Sequence, residues 1–155
     1  MKPKILFILH LPPPIHGAAM MGKYIQESEL VNSSFDCFCI NLATAGSLSD
    51  IGHISLKKLL KYFFLLKHIS NVVREIRPEL VYITPNAGRK AFFKDFIVVQ
   101  MLKSMGCKVI AHYHNKGVSV YQSKWVYNFF YKRFFSNLKV ILLAENLYKD
   151  IAKYV

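Results

Sequence analysis

The amino-acid sequence predicts an α/β fold, a Rossmann-like open parallel sheet of about five strands with helices on both faces. Two observations carry this. Short runs rich in Ile, Val and Leu alternate with longer segments of helical period, as βαβ units require. No Gly/Ser linker, repeat or low-complexity stretch interrupts them, so residues 1–155 are expected to form one domain. A chain of this length buries roughly two-thirds of its unfolded surface and can fold alone.

The elements follow in order. KILFILH (Lys4 to His10) is the first expected strand, and a helix should run from Gly17 to about Leu30. FDCFCINL (Phe35 to Leu42) is the second strand, followed by a polar loop from Ala43 to Ser55 and a long basic helix from Leu56 to about Ile76. ELVYITP is the third strand, ended by Pro85, which can donate no ladder hydrogen bond. The helix Gly88 to Gly106 closes on a glycine, the residue expected at a C-terminal cap. CKVIAHYH, KWVYNFFYKRFFSN and KVILLAEN then give strand, helix and strand, and LYKDIAKYV begins another helix.

Composition excludes several classes. Hydrophobic residues make up 53% of the chain, and 21 Lys and Arg against 9 Asp and Glu give a net charge of +12, which favours anionic partners. Between Asp95 and Glu145 lie seven Lys or Arg and no acid, so one face is expected to be strongly positive. No apolar run approaches the ~18 residues that a membrane span needs. The start MKPKILFILHLPPP has too short an apolar run, and no small-residue cleavage site, for a signal peptide. Cys37, Cys39 and Cys107 are odd in number, and the first two share one strand face, so reduced thiols in a cytoplasmic protein are expected, with no metal.

Gly17 to Lys23 has the G-x-x-x-x-G-K spacing of a phosphate-binding loop, but Tyr24 stands where a magnesium-binding hydroxyl is required. Ala18 to Met21 are helix formers that draw Gly22 and Lys23 into the helix. No strand ends in the aspartate an ATPase needs, and G-x-G-x-x-G is absent.

Ligands of open parallel sheets bind beyond the carboxyl ends of strands. The loops there carry His16, Gly17 and Ala18, then Asn86, then His114 and Lys116, then Glu145. In the first, three prolines stiffen a turn where Gly17 permits close approach and the helix N-terminus favours a phosphate or carboxylate; a turn without ligand is the alternative. His112 and His114 alternate across Tyr113 and face one side, where a histidine can hydrogen-bond a phosphate or sugar hydroxyl or act as acid or base. His112, deeper in the strand, is expected to be a core residue. Arg89 and Lys90 after Gly88 either face solvent or attract an anion.

Two segments look unusual on the outside. SLKKLLKYFFLLKHIS carries Lys57, Lys58, Lys61 and Lys67 beside an apolar face, and Trp125 to Phe135 holds seven aromatics in eleven residues. Either these meet an anionic membrane surface or they are a solvated basic face or one covered by a partner.

The stretches KILFILHLPPPIHGAAMMGKYI, VYITPN, KVIAHYHNKG and VILLAENLYKDI together resemble the N-terminal, acceptor-side domain of GT-B-fold glycosyltransferases of the family 4 type. The resemblance runs across essentially the whole chain in the right order. It implies that Gly17 and Ala18 lie near the donor diphosphate and the acceptor, and that His114 contacts the transferred sugar. It also implies transfer from a nucleotide-sugar donor to a glycan or lipid-linked acceptor, usually with retention and with no cofactor or essential metal. Ala18 replaces the second glycine of the usual pair. The donor is mostly held by a C-terminal domain in that family, and this chain stops before it, so the expectation is half an enzyme without turnover alone. A cytoplasmic location, peripheral at the inner membrane face, goes with this. The alternatives are a non-catalytic basic membrane-surface or partner-binding α/β module and, ranked last, a nucleic-acid-binding protein, since no recognition motif is present.

Overall fold

The computed structural model describes residues 2–42 and 56–155. They form an α/β, Rossmann-like fold on an all-parallel five-stranded sheet of order β2-β1-β3-β4-β5. The strands are β1 (Lys4–Leu9), β2 (Asp36–Asn41), β3 (Leu80–Ile83), β4 (Val109–Tyr113) and β5 (Lys139–Leu142). The chain packs as two compact units, Met1–Tyr82 and Ile83–Val155. The expected loop at 43–55 lies outside the described residues.

In the first unit, β1 is buried from Ile5 to Leu9. Its side chains alternate, so Ile5, Phe7 and Leu9 gather Ile25, Val31, Phe35, Cys37, Leu80 and Tyr82, while Leu6 and Ile8 face the other way and are equally buried. A strand with no solvent side is what the unbroken apolar run KILFIL specifies. β2 runs parallel to it in a register from Lys4 opposite Asp36 to Leu9 opposite Asn41.

The helix expected from Gly17 to Leu30 is two helices, α1 (Gly17–Glu27) and α2 (Glu29–Ser34). Ser28 breaks it by taking an extended backbone, φ −67° and ψ 114°, from which its hydroxyl accepts the Val31 N–H at 3.4 Å. A serine that caps the next helix overrides the helix propensity of its neighbours. α3 (Leu56–Ile76) has the expected bounds.

The second unit holds α4 (Arg89–Ser104), α5 (Val118–Tyr121), α6 (Trp125–Phe135) and α7 (Tyr148–Ile151). Gly106 follows α4 at φ +77°, the left-handed value expected of its cap. The short α5 was not signalled, and the fifth strand ends at Leu142, before a 3-10 turn at Glu145–Leu147. The core here is aromatic: Phe92 of α4 meets Tyr131 and Phe134 of α6 at 4.5 and 5.5 Å between ring centres. Phe130 packs edge-on to Phe93 and Phe96, and Tyr127 lies 5.1 Å from Phe93. Most of the aromatic stripe in α6 is therefore interior packing, leaving Trp125 and Phe129 exposed.

Candidate functional site

In the first unit the loop after β1 ends at His16, which takes an extended conformation and caps α1. Its Nδ1 accepts the Ala19 N–H at 3.3 Å, and its carbonyl accepts from Met20 at 3.0 Å, the first bond of the helix. The N–H groups of Gly17 and Ala18 thus have no partner inside the helix and carry the positive end of its dipole. His16, expected to contact ligand, uses one nitrogen as the cap. Gly17 is exposed, and a Cβ there would meet nothing within 4 Å. At Gly22 a Cβ would stand 2.2 Å from the His10 carbonyl oxygen. The fold itself therefore requires Gly22, whereas nothing among the described residues demands a glycine at position 17. Lys23 faces solvent and pairs with Glu27 at 3.7 Å across one helical turn, as expected of a helical residue and not of a phosphate-loop lysine.

In the second unit the carboxyl end of β4 presents His112 and His114 on one side, ring centres 4.2 Å apart and planes at 39°. Burial, then the neighbouring His114, pushes the His112 pKa down to about 4, and burial also lowers that of His114. Both rings are neutral at pH 7 in consequence. The Nδ1 and Nε2 atoms of His114 are both shut from solvent, and neither has a hydrogen-bond partner among the described residues. Buried polar atoms are nearly always bonded, so this ring is an exception among the described residues. A neutral imidazole offers one donor and one acceptor, which suits a hydroxyl-bearing ligand.

The surrounding loops are fixed by groups that were not singled out in the sequence. Asn115 Oδ1 accepts the Ala87 N–H at 3.1 Å, and the Tyr131 hydroxyl donates to the Ala87 carbonyl at 2.6 Å. The buried carboxylate of Asp95 accepts both the N–H and the side-chain amide of Asn86, at 2.8 and 2.7 Å. Asn86, expected to bind substrate, thus commits these donors to the protein. Burial raises the Asp95 pKa to about 6 against the lowering pull of Asn86 and Lys94. Asp150 accepts the N–H groups of Gly117 and Val118 at 2.9 Å each and that of Ser119 at 3.0 Å, together with the Ser119 hydroxyl. Burial pushes its pKa up, but these donors prevail and hold it below the usual value. The anion-binding start of α5, beside Lys116, is occupied by the protein's own carboxylate.

Lys116 is exposed in the loop after β4, and Glu145 is exposed at the opening of the 3-10 turn. His16, Gly17 and Ala18 belong to the first unit, and Asn86, His114, Lys116 and Glu145 to the second. Asp95 and Asp150 carried a partial signal: both are rare acids in a chain with 9 Asp and Glu, and each is followed directly by an apolar residue, Phe96 and Ile151. Asn115 carried none.

A cleft of about 390 Å³ lined by Lys2, Lys4, Asn32, Phe35, Asp36 and Cys37 opens at the amino ends of β1 and β2. It contains none of the expected site residues and lies at the strand ends that parallel sheets do not use for ligands. Among the described residues no three His, Cys, Asp or Glu side chains are placed to hold a metal ion. The chain matches no family model, no curated protein and no solved structure.

Proposed function

We propose that this chain is the acceptor-side half of a glycosyltransferase that passes a hexose from a nucleotide-sugar donor to a glycan or lipid-linked acceptor. The observation that carries the proposal is the His114 ring, neutral and sequestered at the carboxyl end of β4 with neither nitrogen hydrogen-bonded among the described residues. A sugar hydroxyl both donates and accepts, and so answers both needs of such a ring. A phosphate would answer only its donor. In this scheme His114 orients the transferred sugar, and Lys116 and Glu145 supply exposed polar contacts from their loops.

Saturation-transfer NMR of the chain against nucleotide-sugars and oligosaccharides tests this. Sugar-ring protons are expected to receive magnetisation from the wild-type chain and to lose it in His114→Ala, with the circular dichroism spectrum unchanged. Contacts confined to the base and phosphates, or sugar contacts equal in His114→Ala, would overturn the proposal and leave a non-catalytic module in its place.

A further inference from the structure

We infer that the first half of α3 seats this protein on an anionic lipid surface, lying in the plane of the membrane. The inference is independent of sugar transfer and rests on the two-sided pattern of this helix. One side is the ordinary core stripe, in which Ile69 and Val73 are buried and Tyr62, Leu65 and Leu66 half-buried. The other side carries Leu56, Leu59, Leu60, Phe63 and Phe64, which remain 74, 60, 52, 62 and 62% exposed. Their spacing is i, i+3, i+4, i+7, i+8, so at about 100° per residue they form a single apolar arc of about 140° facing away from the core stripe. A second stripe of this kind packs against nothing among the described residues.

The charges decide what covers it. Lys57 and Lys61 flank the arc, Lys67 prolongs it by a turn, and no acid occurs from Leu56 to Arg74. A second copy placed face to face on this stripe would bring these lysines together, on molecules that each carry +12. An anionic bilayer takes both components, with leucine and phenylalanine entering the acyl boundary and the lysines meeting lipid phosphates. No helix among the described residues is long and apolar enough to cross a membrane, which fits a helix that lies on the surface. α6 adds less, since only Trp125 and Phe129 of its aromatics stay exposed.

The test is co-sedimentation of the full chain with vesicles of phosphatidylcholine, with and without phosphatidylglycerol. Binding is expected only to the anionic vesicles. At about fivefold per lysine, Lys57→Gln/Lys61→Gln/Lys67→Gln should weaken it about a hundredfold. Phe63→Ser/Phe64→Ser should weaken it by about the same factor through lost apolar contact. These side chains are exposed, so the variants should keep the wild-type circular dichroism, and His114→Ala should bind vesicles as wild type does. Equal binding to both lipids, or binding unaffected by the α3 variants but lost in Lys132→Gln/Arg133→Gln, would overturn the inference. So would a concentration-dependent dimer abolished by the phenylalanine variant in a chain that ignores vesicles.

Discussion

Burial acts in opposite directions on the two kinds of titrating group in the second unit, and the difference is measurable. His112 titrates near 4 in the folded protein against an ordinary 6.5, so the unfolded chain takes up the proton first and stability is lost as pH falls from about 6.5 to 4. Asp95 titrates near 6 against 3.8, so the folded protein takes up the proton first and stability is gained as pH falls from about 6 to 3.8. Melting temperatures between pH 7 and 4 should therefore fall more steeply in Asp95→Asn than in the parent, and less steeply in His112→Asn. Identical profiles for the three proteins would reject the burial-driven shifts. The glycines offer a second contrast. Gly22→Ala is expected to destabilise by about 2 kcal/mol, because the clash with the His10 carbonyl outweighs the gain in helix propensity. Gly17→Ala, with open space around it, should leave stability unchanged or slightly raised, and denaturant titrations of the pair would settle both.

At the level of elements, α4 and α6 are tied by more than aromatic contact. The Lys103 ammonium, in the last turn of α4, donates to the carbonyls of Arg133, Phe134 and Ser136 at 3.3, 2.6 and 2.6 Å and so closes the C-terminus of α6. Burial lowers its pKa, but the bonds need the charged form at neutral pH. Lys103→Met should cost about 2 kcal/mol and raise amide exchange in the last turn of α6 and the residues just beyond it. Elements of this kind show where the sequence could be read. The strands and long helices announced themselves through periodicity, and Gly106 through its place after Lys103 to Met105. Ser28 did not, since a serine between two glutamates reads as helix until its hydroxyl is seen to cap. The candidate site was legible in part: the parity of His112 and His114 followed from strand geometry, as did the helical fate of Gly22 and Lys23. The engagement of Asn86 by Asp95, and of the α5 start by Asp150, joins residues 9 and about 32 positions apart, which no local pattern encodes.

For the whole molecule, a charge of +12 makes some attraction to any polyanion inevitable. Binding to duplex DNA or to single strands is expected to show no sequence preference and to fall steeply with added salt. Vesicle binding should lose its Coulombic part in the same titration but retain the part due to the α3 apolar arc. A salt series run on both partners separates them, and equal slopes would reduce α3 to charge alone. The carboxylate of Asp150 bears on how the molecule is made. It supplies the acceptor for three successive backbone amides beginning at Gly117, three residues after His114. On the ribosome, the turn beside that histidine emerges before residue 150, so the 117–119 amides lack this acceptor until α7 follows. The last helix described is thus the one that sets this turn during synthesis, and a nascent chain stopped at Tyr148 should exchange the 117–119 amides freely while β4 is already protected.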